Sequence, residues 1–159
     1  MSREGFVLLE DGTRFGGMLC GASSGSVGEV VFTTAMGGYQ ESVTDPSFAG
    51  QVLTFTVPHV GNYGVSEQAM ESDRIHVRGV VMRAADNSSD APTADQGWLD
   101  WLEASGIPAI TEVDTRGLVR HLRSRGAMRG GIFAAADAGT AAATVEAEPP
   151  MDGQNLAAE

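Results

Sequence analysis

The chain has 159 residues, 42% of them hydrophobic and 6% aromatic, with 21 glycines and a formal charge of −11. A chain of this length forms one domain, or one domain with a connecting tail, and folding buries roughly 70% of the surface exposed when unfolded, so a genuine core is possible. The charge opposes nonspecific attraction to nucleic acid or to an anionic membrane surface; and because all ten cationic residues are Arg, neither a phosphate loop ending in Gly-Lys-Ser/Thr nor a Schiff-base lysine is available.

In chain order, FVLLE, the dipeptide Asp11-Gly12 and TRFGGMLCG read as two strands around a tight turn, since Asp-Gly readily supplies the positive φ angles of a hairpin. ASSGS is a loop, and VGEVVFTT is a third strand, β-branched and apolar at its centre. TTAMGGYQESVTDPSFAGQ follows, with Gly37-Gly38 and Thr44-Asp45-Pro46-Ser47 as turn signals. QVLTFTV alternates Val52, Thr54 and Thr56 against Leu53, Phe55 and Val57, the pattern of a half-buried strand that stops at Pro58.

PHVGNYGVSEQ reads as a loop followed by a short acidic piece, and HVRGVVMR as another strand beginning near His76. After the turn-rich ADNSSDAPTADQ, the segment ADQGWLDWLEASG sets Trp98, Leu99, Trp101 and Leu102 on one helical side, and Gly106 can end that helix. Asp114 can cap a second helix, TRGLVRHLRSR, which Gly126 can terminate. At ~100° per residue its buried stripe is Leu118, Val119 and Leu122, with Arg116, Arg120 and Arg123 gathered opposite. GGIFAAA is a final strand, and an Ala-rich, helix-favouring run from Gly139 to Glu148 is interrupted by Pro149-Pro150. The ending NLAAE carries no stop signal, as though another element were beginning there.

Cys20 excludes an intrachain disulfide framework and a Cys-rich zinc site, because it is the one cysteine. The apolar run after Met1 is far too short for a signal peptide, and no segment approaches the ~18 apolar residues of a membrane span, which together with the cysteine count points to a cytoplasmic protein. Within its strand Cys20 reads as packing; an enzyme built on it would need His59, His76 or His121 as the base. The histidines show no metal-ligand spacing. Asn87-Ser88-Ser89 matches a glycosylation sequon but reads as a turn without a secretory signal. The arginine stripe is either a solvated helix face or a docking surface. Glu41 and Asp45 are spaced as helix neighbours, with no sign of the burial that would separate their pKa values into an acid and a base.

Taken together, LEDGTRFGG, GEVVFTTAMGGYQESVTDPSFAGQ, VPHVGNYG and EVDTRGLVRHLRSRGAMRG, in that order and spacing, resemble the small, glutamine-handling subunit of carbamoyl phosphate synthetase over nearly the whole chain. The resemblance implies a mixed α/β fold, a predominantly β-sheet domain with two or three packed helices of the swivelling β/β/α kind. It assigns residues 1–148 to the N-terminal domain and 149–159 to the start of a connection to a C-terminal class I glutamine amidotransferase domain, which holds the family's Cys nucleophile and its His/Glu partners; Cys20 does not match that nucleophile.

The resemblance further implies that Ser47 helps hold L-glutamine, and that Ala35, Met36 and Gly37 form a turn near the passage by which ammonia leaves. Partners would be the large synthetase subunit and the amidotransferase domain, with Arg116, Arg120 and Arg123 as candidate docking residues and no nucleic acid or membrane. No cofactor or metal is expected in this chain, ATP and Mg2+ being used by the large subunit. A free-standing protein-binding scaffold and a small Cys/His hydrolase are the alternatives.

Overall fold

The computed structural model describes residues 3–23, 25–62, 64–66, 70, 74–87 and 96–149. The acidic piece near residue 70 falls largely outside these residues, as do Ser88 and Ser89 of the sequon, most of the turn-rich stretch and the connection beyond Pro149.

Seven strands, β1 (Glu4–Leu9), β2 (Arg14–Gly21), β3 (Ser26–Thr33), β4 (Gln51–Phe55), β5 (Gly79–Val81), β6 (Pro108–Thr111) and β7 (Met128–Ala134), close into a barrel in the order β1-β2-β6-β5-β4-β3-β7. The hairpin forms as its dipeptide demands: Gly12 takes φ 91°, and Leu8 pairs with Arg14 across the turn. Strands β3, β4, β5 and β6 run parallel to one another, and β1, β2 and β7 complete the wall by antiparallel pairing, with β7 on β3 and β2 on β6. Closure pairs β1 with β7 and leaves neither with an unpaired edge, which removes the usual hazard of exposed strand edges. The mixed, β-rich α/β class is as expected; the closed barrel is a finding beyond it.

Alternation along the strands separates an inner from an outer core. Val7, Leu9, Val30, Val52, Val81, Ile110 and Ile132 fill the barrel, joined by Leu118 and Leu122 of α3 (Thr115–Arg125), which plugs one end. Outside β4, β5 and β6, the residues Leu53, Phe55, Val80 and Ala109 pack against α1 (Tyr39–Thr44) and α2 (Trp98–Ala104) through Tyr39, Val43, Trp98 and Leu102. A third cluster sets Ala141 and Val145 of α4 (Ala141–Ala147) on Phe6 and Phe133, whose rings stack 5.6 Å apart.

Two expectations need correction. Strand β4 is buried on both faces rather than half-buried, because α1 and α2 cover the side that alternation alone would have left wet. His76 precedes the strand it was expected to begin: β5 starts only at Gly79, and the His76 N–H is spent on the Val43 carbonyl at 2.9 Å.

Candidate functional site: the loop after β3, the α1 turn and the arginine face of α3

The polar stretch after β3 is not a run of turns. Gly38 adopts φ 69° ahead of α1, and long-range contacts from Tyr39 and Gln40 then hold that six-residue helix, which is too short to stand alone. The Tyr39 hydroxyl donates to the Gly64 carbonyl at 2.7 Å, and its ring meets Trp98 edge-on at 4.7 Å. Buried Gln40 donates from Nε2 to the Ser66 carbonyl at 2.6 Å and accepts the Ser66 N–H on Oε1 at 3.0 Å, pairing with that backbone as a strand would. Thr44, fully buried, returns its hydroxyl to the Gln40 carbonyl at 2.9 Å.

Beyond α1 the chain makes a 3₁₀ turn, Pro46–Phe48, opened by Asp45, whose Oδ1 accepts the Ser47 N–H at 2.9 Å. The Asp45 carboxylate is thereby engaged as a cap, not poised as half of an acid/base pair with Glu41. Ser47 is exposed, and its backbone N–H is held by that bond to Asp45. Ala35, Met36 and Gly37 are exposed too, and Met36, at 79%, is the exposed large hydrophobic side chain among the described residues.

The two groups do not converge. Thr33 pairs with Phe55 and Glu29 with Gln51, so Ala35–Gly37 follow the carboxyl end of β3 whereas Ser47 lies before the amino end of β4. Loop and turn thus occupy opposite ends of the parallel strands, joined by α1.

The helix that carries the arginines forms as the sequence predicts. The Asp114 carboxylate accepts the Gly117 N–H at 3.0 Å to open α3, and Gly126, at φ 90°, closes it. Leu118, Val119 and Leu122 are buried; Arg116, Arg120 and Arg123 are exposed. A second anchor was not legible: His121 Nε2 lies 2.6 Å from Asp11 Oδ2 and 3.2 Å from Thr13 Oγ1, tying α3 to the turn of the first hairpin. Desolvation pushes the Asp11 pKa up, but the Thr13 N–H and the His121 bond outweigh it and hold the carboxyl at about 2.

The arginines do not lie squarely opposite the buried stripe. With Val119 they form one wall of an open cavity of about 740 Å³, whose other wall is Thr34, Thr56, Pro58 and Arg83 from the carboxyl ends of β3, β4 and β5. Arg83 was not singled out from the sequence; it ends a strand pattern, and only the parallel topology carries it across to α3.

Cys20 is buried in the outer core among Leu53, Trp98 and Ala109, and desolvation raises its pKa to about 11. A thiol held neutral in apolar surroundings is a packing group and not a nucleophile. His59 and His121 are each paired with a carboxylate, Asp86 and Asp11 respectively, at 2.6 Å. Among the described residues no three His, Cys, Asp or Glu side chains group as a metal site, and no helix is long and apolar enough to cross a membrane.

The family model of the carbamoyl-phosphate synthase small chain, CPSase domain, matches residues 7–132, from the first strand of the barrel to the last. The chain belongs to that family. It is 47% identical to the carbamoyl phosphate synthase small chain of Streptomyces coelicolor over 160 aligned positions, which cover 96% of this chain and 41% of the relative. The Vibrio vulnificus small chain is 42% identical across 100% of this chain and 42% of its own length, and the Pyrobaculum aerophilum small chain 49% identical across 78% and 36%. The chain therefore spans about two fifths of the length of the small chains it matches. Within the family's matched region lie Ser47, the Ala35–Gly37 loop and all of α3.

Proposed function

We propose that this chain is the N-terminal domain of the small subunit of a glutamine-hydrolysing carbamoyl phosphate synthetase, noncatalytic by itself, which completes the glutamine site, docks on the large subunit and helps guide ammonia to it. The observation that carries the reading is the family match from residue 7 to residue 132. In this reading glutamine is hydrolysed by an amidotransferase domain, and the large subunit combines the ammonia with bicarbonate using ATP and Mg2+.

The surface chemistry suits these roles. Ser47 offers a hydroxyl from a turn whose backbone is already hydrogen-bonded, so little conformational freedom is lost when it meets the charged end of an amino acid. Ammonia released into water at neutral pH is protonated and lost as a nucleophile, so a passage that excludes water preserves it. Met36, exposed on the loop after β3, supplies an apolar side chain for such a contact, and Arg116, Arg120 and Arg123 supply charge for an acidic partner surface. Cys20, buried with its thiol held neutral, is not poised as a nucleophile.

Ser47→Ala in a two-domain small subunit, assayed with the large subunit, tests the glutamine role. Losing one hydrogen bond to a charged group is worth ~1.5–3 kcal/mol, so the glutamine requirement rises roughly ten- to hundredfold. Ammonia-dependent synthesis remains near wild type. Unchanged glutamine kinetics would remove Ser47 from the site.

A further inference from the structure

Four of the ten arginines face one cavity. Arg116, Arg120 and Arg123 line it from α3, and Arg83 faces them from the end of β5, beside the hydroxyl-bearing Thr34 and Thr56. Among the described residues none of the four makes an ion pair, whereas Arg78 and Arg129 are paired with Glu148 and Glu10. The lining holds one carboxylate, Asp114, and its Oδ1 is engaged by the Gly117 N–H. Four guanidiniums less one carboxylate leave three positive charges, on a chain whose net charge is −11. Concentrating uncompensated like charge is unfavourable, and the excess disappears when an anion is bound.

The walls are set by the fold. Thr34, Thr56 and Arg83 follow three adjacent parallel strands, and α3 is seated by Leu118 and Leu122 in the barrel and by His121 on Asp11. Arg123 is further steered by the Phe32 ring, whose centroid lies 5.3 Å from its guanidinium carbon. The volume, about 740 Å³, is within the range of small-molecule sites and far larger than one phosphate ion needs. Planar guanidiniums bind phosphate oxygens in pairs, and threonine hydroxyls donate to those that remain.

We propose that the cavity between Arg83 and α3 is a binding site for a small phosphate-bearing polyanion of about three negative charges, a pyrophosphate group free or carried on a nucleotide. The site stands on the geometry of this chain and does not rest on the proposed function. It does share three arginines with the proposed docking face, so a bound polyanion and an acidic partner surface compete for them.

Calorimetric titration of the chain with sodium pyrophosphate and, in parallel, a nucleoside diphosphate, at constant ionic strength set with sodium chloride, tests it. Saturable one-to-one binding is expected, weakened at least tenfold in Arg83→Gln and in Arg120→Gln, both exposed positions whose folding is checked by circular dichroism. Tighter binding of the nucleotide than of pyrophosphate identifies the nucleotide as the source of the group, and equal binding identifies pyrophosphate alone. Absence of saturation, or equal affinity in wild type and both folded variants, overturns the site. Citrate binding as tightly as pyrophosphate overturns the assignment to phosphate. Arg83 lies outside the docking candidates, so loss of pyrophosphate binding in Arg83→Gln with large-subunit association intact separates this inference from the docking reading.

Discussion

Leu118→Ala measures how α3 is held, and with it how the arginine face is positioned. Leu118 is fully buried and inserts into the barrel beside Val30, Val52, Val81 and Ile110. Truncating a buried leucine removes transfer free energy and leaves a cavity, at a cost of ~2–5 kcal/mol that depends on how far the surroundings collapse. Here they collapse little: the wall is a closed ring of hydrogen-bonded strands, and His121 holds the helix to Asp11 from its flank. The upper half of the range applies, ~3–5 kcal/mol. For a domain of this size each kcal/mol shifts Tm by ~2–4 °C, so the melting temperature falls by at least ~6 °C. The assay is urea unfolding with thermal melts, with Leu99→Ala, partly buried on α2, as a milder comparison. A loss below ~1 kcal/mol for Leu118→Ala would refute the seating of α3 in the barrel.

Replacing Arg116, Arg120 and Arg123 together with Gln in a full-length small subunit slows association with the large subunit and flattens its salt dependence, while the core is untouched. A stopped-flow rate and salt slope matching wild type would leave α3 as a solvated face, where exposed charges contribute ~0–1 kcal/mol. The depressed Asp11 pKa makes a stability contribution that is complete above its ordinary value near 3.8 and is lost as pH falls toward about 2. Asp11→Asn is therefore less stable than wild type at neutral pH, and the gap closes between about pH 4 and pH 2; a gap independent of pH across that window would contradict the pairing.

What the sequence made legible was local. The Asp11-Gly12 hairpin and α3 with its Asp114 cap and Gly126 stop are written in adjacent residues whose backbone preferences act without distant help. The apolar side of α2 was legible for the same reason, in the spacing of Trp98 and Leu102. Closure was not legible, because pairing Val7 with Ile132 or Leu19 with Ile110 depends on contacts separated by most of the chain. Helix α1 was hidden because Gly38 and Asp45-Pro46 read as turns, and what stabilises it is the reach of Tyr39 and Gln40 to Gly64 and Ser66. The candidate site divides the same way. The arginine face is a one-helix pattern and was visible; Arg83 joins it through topology alone. Ser47 came from the family resemblance, and its exposed place on a capped turn is what the structure adds.

The proposed docking on the large synthetase subunit is tested most directly by titration of the purified, folded 159-residue chain into the isolated large subunit, followed by calorimetry. The account predicts saturable one-to-one association that weakens as salt is raised. A correctly folded chain that shows no association with the large subunit at any salt concentration would contradict it.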